Sequence, residues 1–189
     1  MKRIFLIMGS LLVLTMSACS QANKEDKKEA EMIKPKITLD LLNGETPKHF
    51  TAKTTDGSTF NSAENKGKYW AVFVYDKSYL VKSDSYDMVA ELKETIKNFG
   101  DKIPMLVIVN GFSDDEPALK KMIADAKISI KQIDNTEGPA KEKPLDDNVF
   151  CTPAKILIDP SGKVIYNGCG GKTNTFDVKL DSLVKANKL

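Results

Sequence analysis

Three side chains in this 189-residue chain could do thiol chemistry: Cys19, Cys151 and Cys169. One imidazole, His49, accompanies them. A single histidine excludes a multi-histidine metal centre. The acidic pair Asp146-Asp147 lies in a polar stretch with no further ligand cluster, so neither a metal nor another cofactor is expected. Basic chemistry is equally restricted: Lys+Arg number 28 against 26 Asp+Glu, and the only arginine is Arg3. Without guanidinium groups the chain cannot build a bidentate clamp for phosphate or carboxylate. A nearly neutral, arginine-free surface also argues against nucleic acid as a partner.

Cys19 is set apart by what precedes it. Lys2-Arg3 is followed by an apolar run, Ile4 to Met16, interrupted only by Gly9, Ser10 and Thr15. The run is too short to cross a bilayer comfortably and has the proportions of an export signal. It ends in Met16-Ser17-Ala18-Cys19, which resembles the bacterial lipoprotein signal, whose cysteine is lipidated and becomes the new N-terminus. Residues 1–18 are therefore expected to be removed, and Cys19 to carry a palmitate-type lipid that holds the protein to a membrane. Lys2 and Arg3 leave with the signal, so the mature balance is 26 basic residues against 26 acidic. Residues 19–36 follow as a tether; nine of the 17 residues from Ser20 to Lys36 are charged, too many to bury a core. Pro35 separates this stretch from the body, residues 37–189. The expected location is the bacterial cell envelope, outside the cytoplasm, where an envelope protein is the natural partner.

The elements of the body follow from hydrophobic spacing. Ile37–Leu42 alternates and stops at Asn43-Gly44, giving a first strand and turn. Phe50–Phe60 reads as a hairpin around Asp56-Gly57. Tyr69–Tyr75 and Ile103–Val109 are continuous apolar runs, the mark of strands buried on both faces. Between them, a helix capped by Ser83 or Asp84 carries Met88, Leu92, Ile96 and Phe99 on one side. A second helix opens at Ser113 to Glu116 and turns Ala118, Leu119, Met122, Ile123 and Ala126 inward. Ile128–Ile133 is a short strand and Asn135–Asn148 a polar loop. Ala154–Asp159, a Pro160-Ser161-Gly162 turn and Lys163–Tyr166 form a hairpin. A final helix from Thr175 places Phe176, Leu180, Leu183 and Val184 inward. The order implies an α/β layer fold with a central mixed sheet, parallel in the middle and antiparallel at one edge, flanked by helices and preceded by an N-terminal β extension.

Several of these segments resemble a known group. Pro47-Lys-His-Phe50, Asp56-Gly57 and Lys66-Gly67-Lys68 before Tyr69–Tyr75 are similar to the opening of extracytoplasmic thioredoxin-like proteins. These include membrane-anchored thiol-disulfide oxidoreductases and, more distantly, peroxiredoxins. Cys151-Thr152-Pro153 before Ile156–Asp159, then Gly162–Ile165, resembles their cis-proline loop and terminal hairpin. The resemblance covers about residues 45–189 and implies a thioredoxin-like fold. In the oxidoreductases a Trp-Cys-x-x-Cys motif follows the buried strand at a helix N-terminus, where the helix dipole helps make the first cysteine a thiolate. The resemblance places Lys77 at the tryptophan, Ser78 at the first cysteine and Val81 at the second. The peroxidatic cysteine of the peroxiredoxins falls near Ser83, and their arginine has no counterpart in the mature chain. Neither standard chemistry is therefore expected.

Cys151 and Cys169 remain. They flank the terminal hairpin, nearly opposite one another and one or two residues out of register. An oxidising compartment favours a structural disulfide. A redox-active pair next to the Thr152-Pro153 loop, and two separately occupied thiols, are the alternatives. The glycines Gly168, Gly170 and Gly171 would either shape the strand exit or admit another chain. Tyr75, Asp76, Lys77, Ser78 and Tyr79 could line a binding surface, although Tyr75 and Trp70 suit the core. Asp84 and Asp87 suit a helix start, and His49 a surface or satisfied position. The preferred function is a non-catalytic binding or accessory module, with an atypical oxidoreductase using Cys151 and Cys169 as the alternative.

Overall fold

The computed structural model describes residues 37–139, 141–147, 152–169 and 174–189. The signal segment, Cys19, the tether, Cys151, Gly170 and Gly171 lie outside the described residues. At the centre is β4 (Trp70–Asp76), in which Trp70 through Tyr75 are all buried. It pairs in parallel with β5 (Met105–Asn110), which pairs in parallel with β6 (Lys131–Asp134). On its other side β4 pairs antiparallel with β8 (Ala154–Ile158), which forms a hairpin with β9 (Val164–Cys169). The strand order β6-β5-β4-β8-β9 is the mixed sheet that the apolar runs imply.

Because side chains alternate along a strand, the sheet has two apolar faces and each needs a cover. Ala71, Phe73, Tyr75, Val107, Val109 and Leu157 face three helices: α1 (Met88–Phe99), α2 (Glu116–Ala126) and α3 (Asn174–Lys185). Each helix buries a stripe at helical spacing, such as Met88, Leu92, Thr95 and Phe99 in α1 and Phe176, Leu180 and Leu183 in α3. The Asp87 side chain caps α1 by accepting from the Ala90 amide at 2.9 Å, so the cap is Asp87 and not Ser83 or Asp84. Asp115 caps α2 in the same way, and Ala118 faces solvent because it lies off the Leu119–Ile123–Ala126 stripe.

Val72, Val74, Leu106, Ile108, Ile133, Ile156 and Ile158 point to the opposite face, which is covered by strands. The Asp56-Gly57 hairpin, β2 (Thr51–Lys53) against β3 (Thr59–Asn61), brings Phe50, Ala52 and Phe60 onto this face. Beside it β1 (Ile37–Leu39) pairs in parallel with β7 (Leu145–Asp147), a strand inside the stretch expected to be loop. The β7 sequence, Leu-Asp-Asp, has a single apolar side chain, Leu145, which joins the core, so no alternation marks the strand. It is positioned instead by the buried Asn135 side chain, whose oxygen accepts from the Leu145 amide at 2.9 Å.

Both parts of this strand cover can be tested. Leu145→Ala should cost about 2–5 kcal/mol in urea unfolding, whereas a leucine in a solvated loop would move stability by less than about 0.5 kcal/mol. In the hairpin turn, the Thr54 hydroxyl lies 2.6 Å from Asp56 Oδ1 and the Ser58 amide donates to the same oxygen at 2.9 Å. These bonds, Thr54's foremost, lower the Asp56 pKa from 3.8 to about 2. A lowered carboxyl pKa stabilises the fold above the unfolded value and loses that contribution as pH falls through the folded one. Carboxyl NMR titration should therefore show Asp56 protonating near 2, and Thr54→Ala should move the midpoint back toward 3.8.

Candidate functional site

The turn after β4 is held by a carboxylate. Asp76 Oδ1 accepts from the Ser78 amide at 2.9 Å and starts a single 3-10 turn, Lys77–Leu80. Gly111, at the exit of the neighbouring strand β5, makes this possible: a Cβ there would lie 2.5 Å from Asp76 Oδ2, and its φ of +108° suits only glycine. Ser78 is exposed, Val81 is 54% exposed, and the chain then runs through a polar turn before α1 begins at Met88. Ser83 serves that turn. Its hydroxyl donates to the Tyr86 carbonyl at 3.0 Å and accepts from the Tyr86 amide at 3.1 Å. Ser78 therefore sits on a 3-10 turn, away from the first turn of an α-helix, where a dipole could favour an anion.

The elements behind the turn carry a polar cluster that the spacing of apolar residues did not announce. Lys155, on β8, is only 3% exposed. Its Nζ forms an ion pair with Glu91 Oε1 of α1 and lies 5.9 Å from the centre of the Phe176 ring, a cation–π arrangement. The other Glu91 oxygen accepts from the Tyr86 hydroxyl at 2.6 Å, and burial with this bond raises the Tyr86 pKa. Tyr79 packs edge-on against Tyr86, with ring centres 6.2 Å apart. Nearby, Thr95 donates to Asp177 at 2.9 Å, while burial raises the Asp177 pKa. Tyr75 is core, as expected; its hydroxyl is buried with no hydrogen-bond partner among the described residues, and desolvation pushes its pKa up. The one signal in the sequence was a lysine inside a strand apolar on both faces.

The structure brings Ser78, Val81 and Pro153 to one end of the sheet, at the exit of β4 and the start of β8. The Thr152–Pro153 peptide is cis, with Thr152 exposed and Pro153 buried. Cys169 ends β9 and is exposed; it is disulfide-bonded, and its partner is not among the described residues. Its cross-strand neighbour is Ala154, three positions beyond Cys151, so the register offset is larger than the turn arithmetic suggested. A bulge between Leu157 and Ile158 adds the extra step. Gly168 has a packing role: a Cβ there would lie 2.5 Å from the Tyr166 ring, whose hydroxyl meets Thr175 Oγ1 at 2.7 Å. Among the described residues no cluster of His, Cys, Asp and Glu could hold a metal ion.

The ion pair gives a paired test. Glu91→Ala leaves the Lys155 ammonium, 4% exposed, without its counter-charge and should cost about 3–5 kcal/mol. Lys155→Met fills the same volume beside Phe176 and leaves Glu91 with its Tyr86 donor and 24% exposure. It should cost less than about 1 kcal/mol. Urea unfolding of the two variants should show that order.

No protein-family model matches the chain. No curated protein matches its sequence. Solved structures do match. The C-terminal domain of a protein named as a thiol-disulfide oxidoreductase of Bacteroides thetaiotaomicron is 20% identical, with a TM-score of 0.58 over 77% of this chain and 98% of that one. BsSco, a member of the Sco family of cytochrome c oxidase assembly proteins, is 18% identical, with a TM-score of 0.53 over 77% and 95%. A secreted disulfide oxidoreductase of Mycobacterium tuberculosis is 16% identical, with a TM-score of 0.51 over 72% and 95%. With the β4–β5–β6 parallel unit, the β8–β9 hairpin and the cis-proline before β8, these likenesses show that the chain carries the thioredoxin-like fold.

Proposed function

We propose that this is a lipid-anchored envelope protein, held to a membrane through Cys19, whose thioredoxin-like domain binds or supports a partner protein instead of cycling a disulfide. The reading rests on the resemblance, which sets Ser78 and Val81 at the two cysteine positions of the oxidoreductases, and on their exposure, Ser78 on the 3-10 turn Lys77–Leu80 and Val81 directly after it. A hydroxyl and an isopropyl group cannot exchange electrons with a thiol. The surface at this end suits contact with protein: Val81 is 54% and Phe112 58% exposed, and they follow the neighbouring strands β4 and β5. The secreted nature of the Mycobacterium tuberculosis protein agrees with a location outside the cytoplasm. No described helix is long and apolar enough to cross a membrane.

A second reading keeps an activity. The disulfide at Cys169, exposed at the end of β9, supports pairing with Cys151 beside the Thr152–Pro153 loop. A disulfide switch has been identified in BsSco, which shares the fold. The accessory reading expects a structural bridge with a potential below about −300 mV and a loss of about 3 kcal/mol in Cys151→Ala/Cys169→Ala. Thiol labelling across a redox series measures the first and urea unfolding the second. A bridge that exchanges with reduced protein substrates near the envelope poise would establish the oxidoreductase instead. Cys19→Ala should abolish lipid labelling and release the protein from the membrane fraction.

A further inference from the structure

At the opposite end of β4 from Ser78, a cavity of about 250 Å³ opens between the Ser62–Asn65 3-10 turn and the Pro160-Ser161-Gly162 turn. Trp70, the first residue of β4, lines it and is 6% exposed. Seven residues of extended chain separate this end from the Ser78 end, about 20 Å. The cavity has flat apolar walls in Trp70, Pro47 and Pro160, and its rim is cationic.

Three observations point to a ligand. Lys48 and Lys66 line the cavity and are exposed, neither forms an ion pair among the described residues, and no acid lines it with them. Asn65, 8% exposed, also lines it; its carbonyl is used by the Lys68 amide, but its side-chain carboxamide has no hydrogen-bond partner among the described residues. The carboxamide is not among the fully buried polar atoms that lack a partner, so its polar atoms reach the cavity and are available to a ligand there. His49 Nδ1 stands 3.5 Å from Ser62 Oγ, which accepts from the Phe50 amide, so the imidazole adds a polar edge to the rim.

The backbone narrows the ligand class. Phosphate is commonly bound by free amides at a turn or nest. At the two turns those amides are spent: Ser161 N donates to Asp159 Oδ1, Gly162 N to the Asp159 carbonyl and Lys66 N to the Ala63 carbonyl. The Thr46, Lys48 and His49 amides in the extended segment make no hydrogen bond among the described residues, so the test includes inorganic phosphate. Two lysine point charges, a carboxamide and a flat apolar wall suit a carboxylate joined to a compact body. We propose that this cavity binds a small organic carboxylate, its acid group between Lys48 and Lys66, its body against Trp70 and its polar edge on Asn65.

Trp70 is the only tryptophan, so its fluorescence reports the cavity directly. Full-length protein would be titrated with benzoate, acetate, benzamide and inorganic phosphate. Benzoate is expected to give a saturable change, with benzamide and acetate each at least roughly 10-fold weaker, because a charge-assisted bond or the apolar contact is lost. Lys48→Gln/Lys66→Gln, at exposed positions, should keep the thermal midpoint and weaken benzoate by roughly 10-fold or more. Asn65→Ala should weaken it independently. The proposal is overturned if neither acid gives a saturable change, if benzamide equals benzoate, or if phosphate equals benzoate with the same sensitivity to the lysines.

Discussion

Strand β4 has no face that meets water. From Trp70 to Tyr75 every side chain is buried, and both backbone edges are paired, one with β5 and the other with β8. A strand in this position can stay apolar only if both sheet faces are covered, and the rest of the domain is arranged to do so. Three helices close one face. The β2–β3 hairpin and the β1–β7 pair close the other. The edges are also managed: the Thr55 amide donates to the Gln132 carbonyl on β6, and the Glu45 carbonyl accepts from the Val164 amide on β9.

Lys155 is the one charged side chain in this interior among the described residues. An ammonium at 3% exposure is tolerable because Glu91, itself held by the Tyr86 hydroxyl, pairs with it and the Phe176 ring lies beneath it. Buried pairs of this kind seldom add net stability over a well-packed apolar group. They do link elements, and this one joins β8, α1 and α3 behind the Ser78 turn. The turn itself depends on Asp76 and Gly111, two residues with no thiol chemistry, so its shape survives without cysteines.

Much of the layer order could be read from the sequence because it is written in periods. The runs Tyr69–Tyr75 and Ile103–Val109 mark the central strands, and the α1 and α3 stripes mark helices. What escaped were features decided by single contacts. Strand β7 has one apolar residue, Leu145, and depends on Asn135 for its place. Asp87 caps α1 in place of Ser83 because Ser83 is committed to the Tyr86 turn. The register of Cys169 differs from the counted one because a bulge is invisible to counting from a turn. At the Ser78 end the residue types were legible, but the 3-10 turn and the Lys155–Glu91 pair needed coordinates. The cavity at Trp70 joins residues from three separated stretches, none of which signals a site alone.

In open α/β sheets ligands usually sit outside the carboxyl ends of the parallel strands. Here that end presents Val81 and Phe112 to solvent, with the polar groups behind them engaged with one another. Apolar side chains without free polar groups offer contact area to another protein and little to orient a small charged molecule. The amino end of β4 has the reverse character, with two exposed lysines that form no ion pair among the described residues, an accessible carboxamide and an aromatic wall. A rigid strand of about 20 Å keeps these surfaces apart. A partner protein at one end would not cover the cavity at the other. The same buried strand therefore holds two surfaces of opposite chemical character at its two ends, one apolar and one lined by lysines.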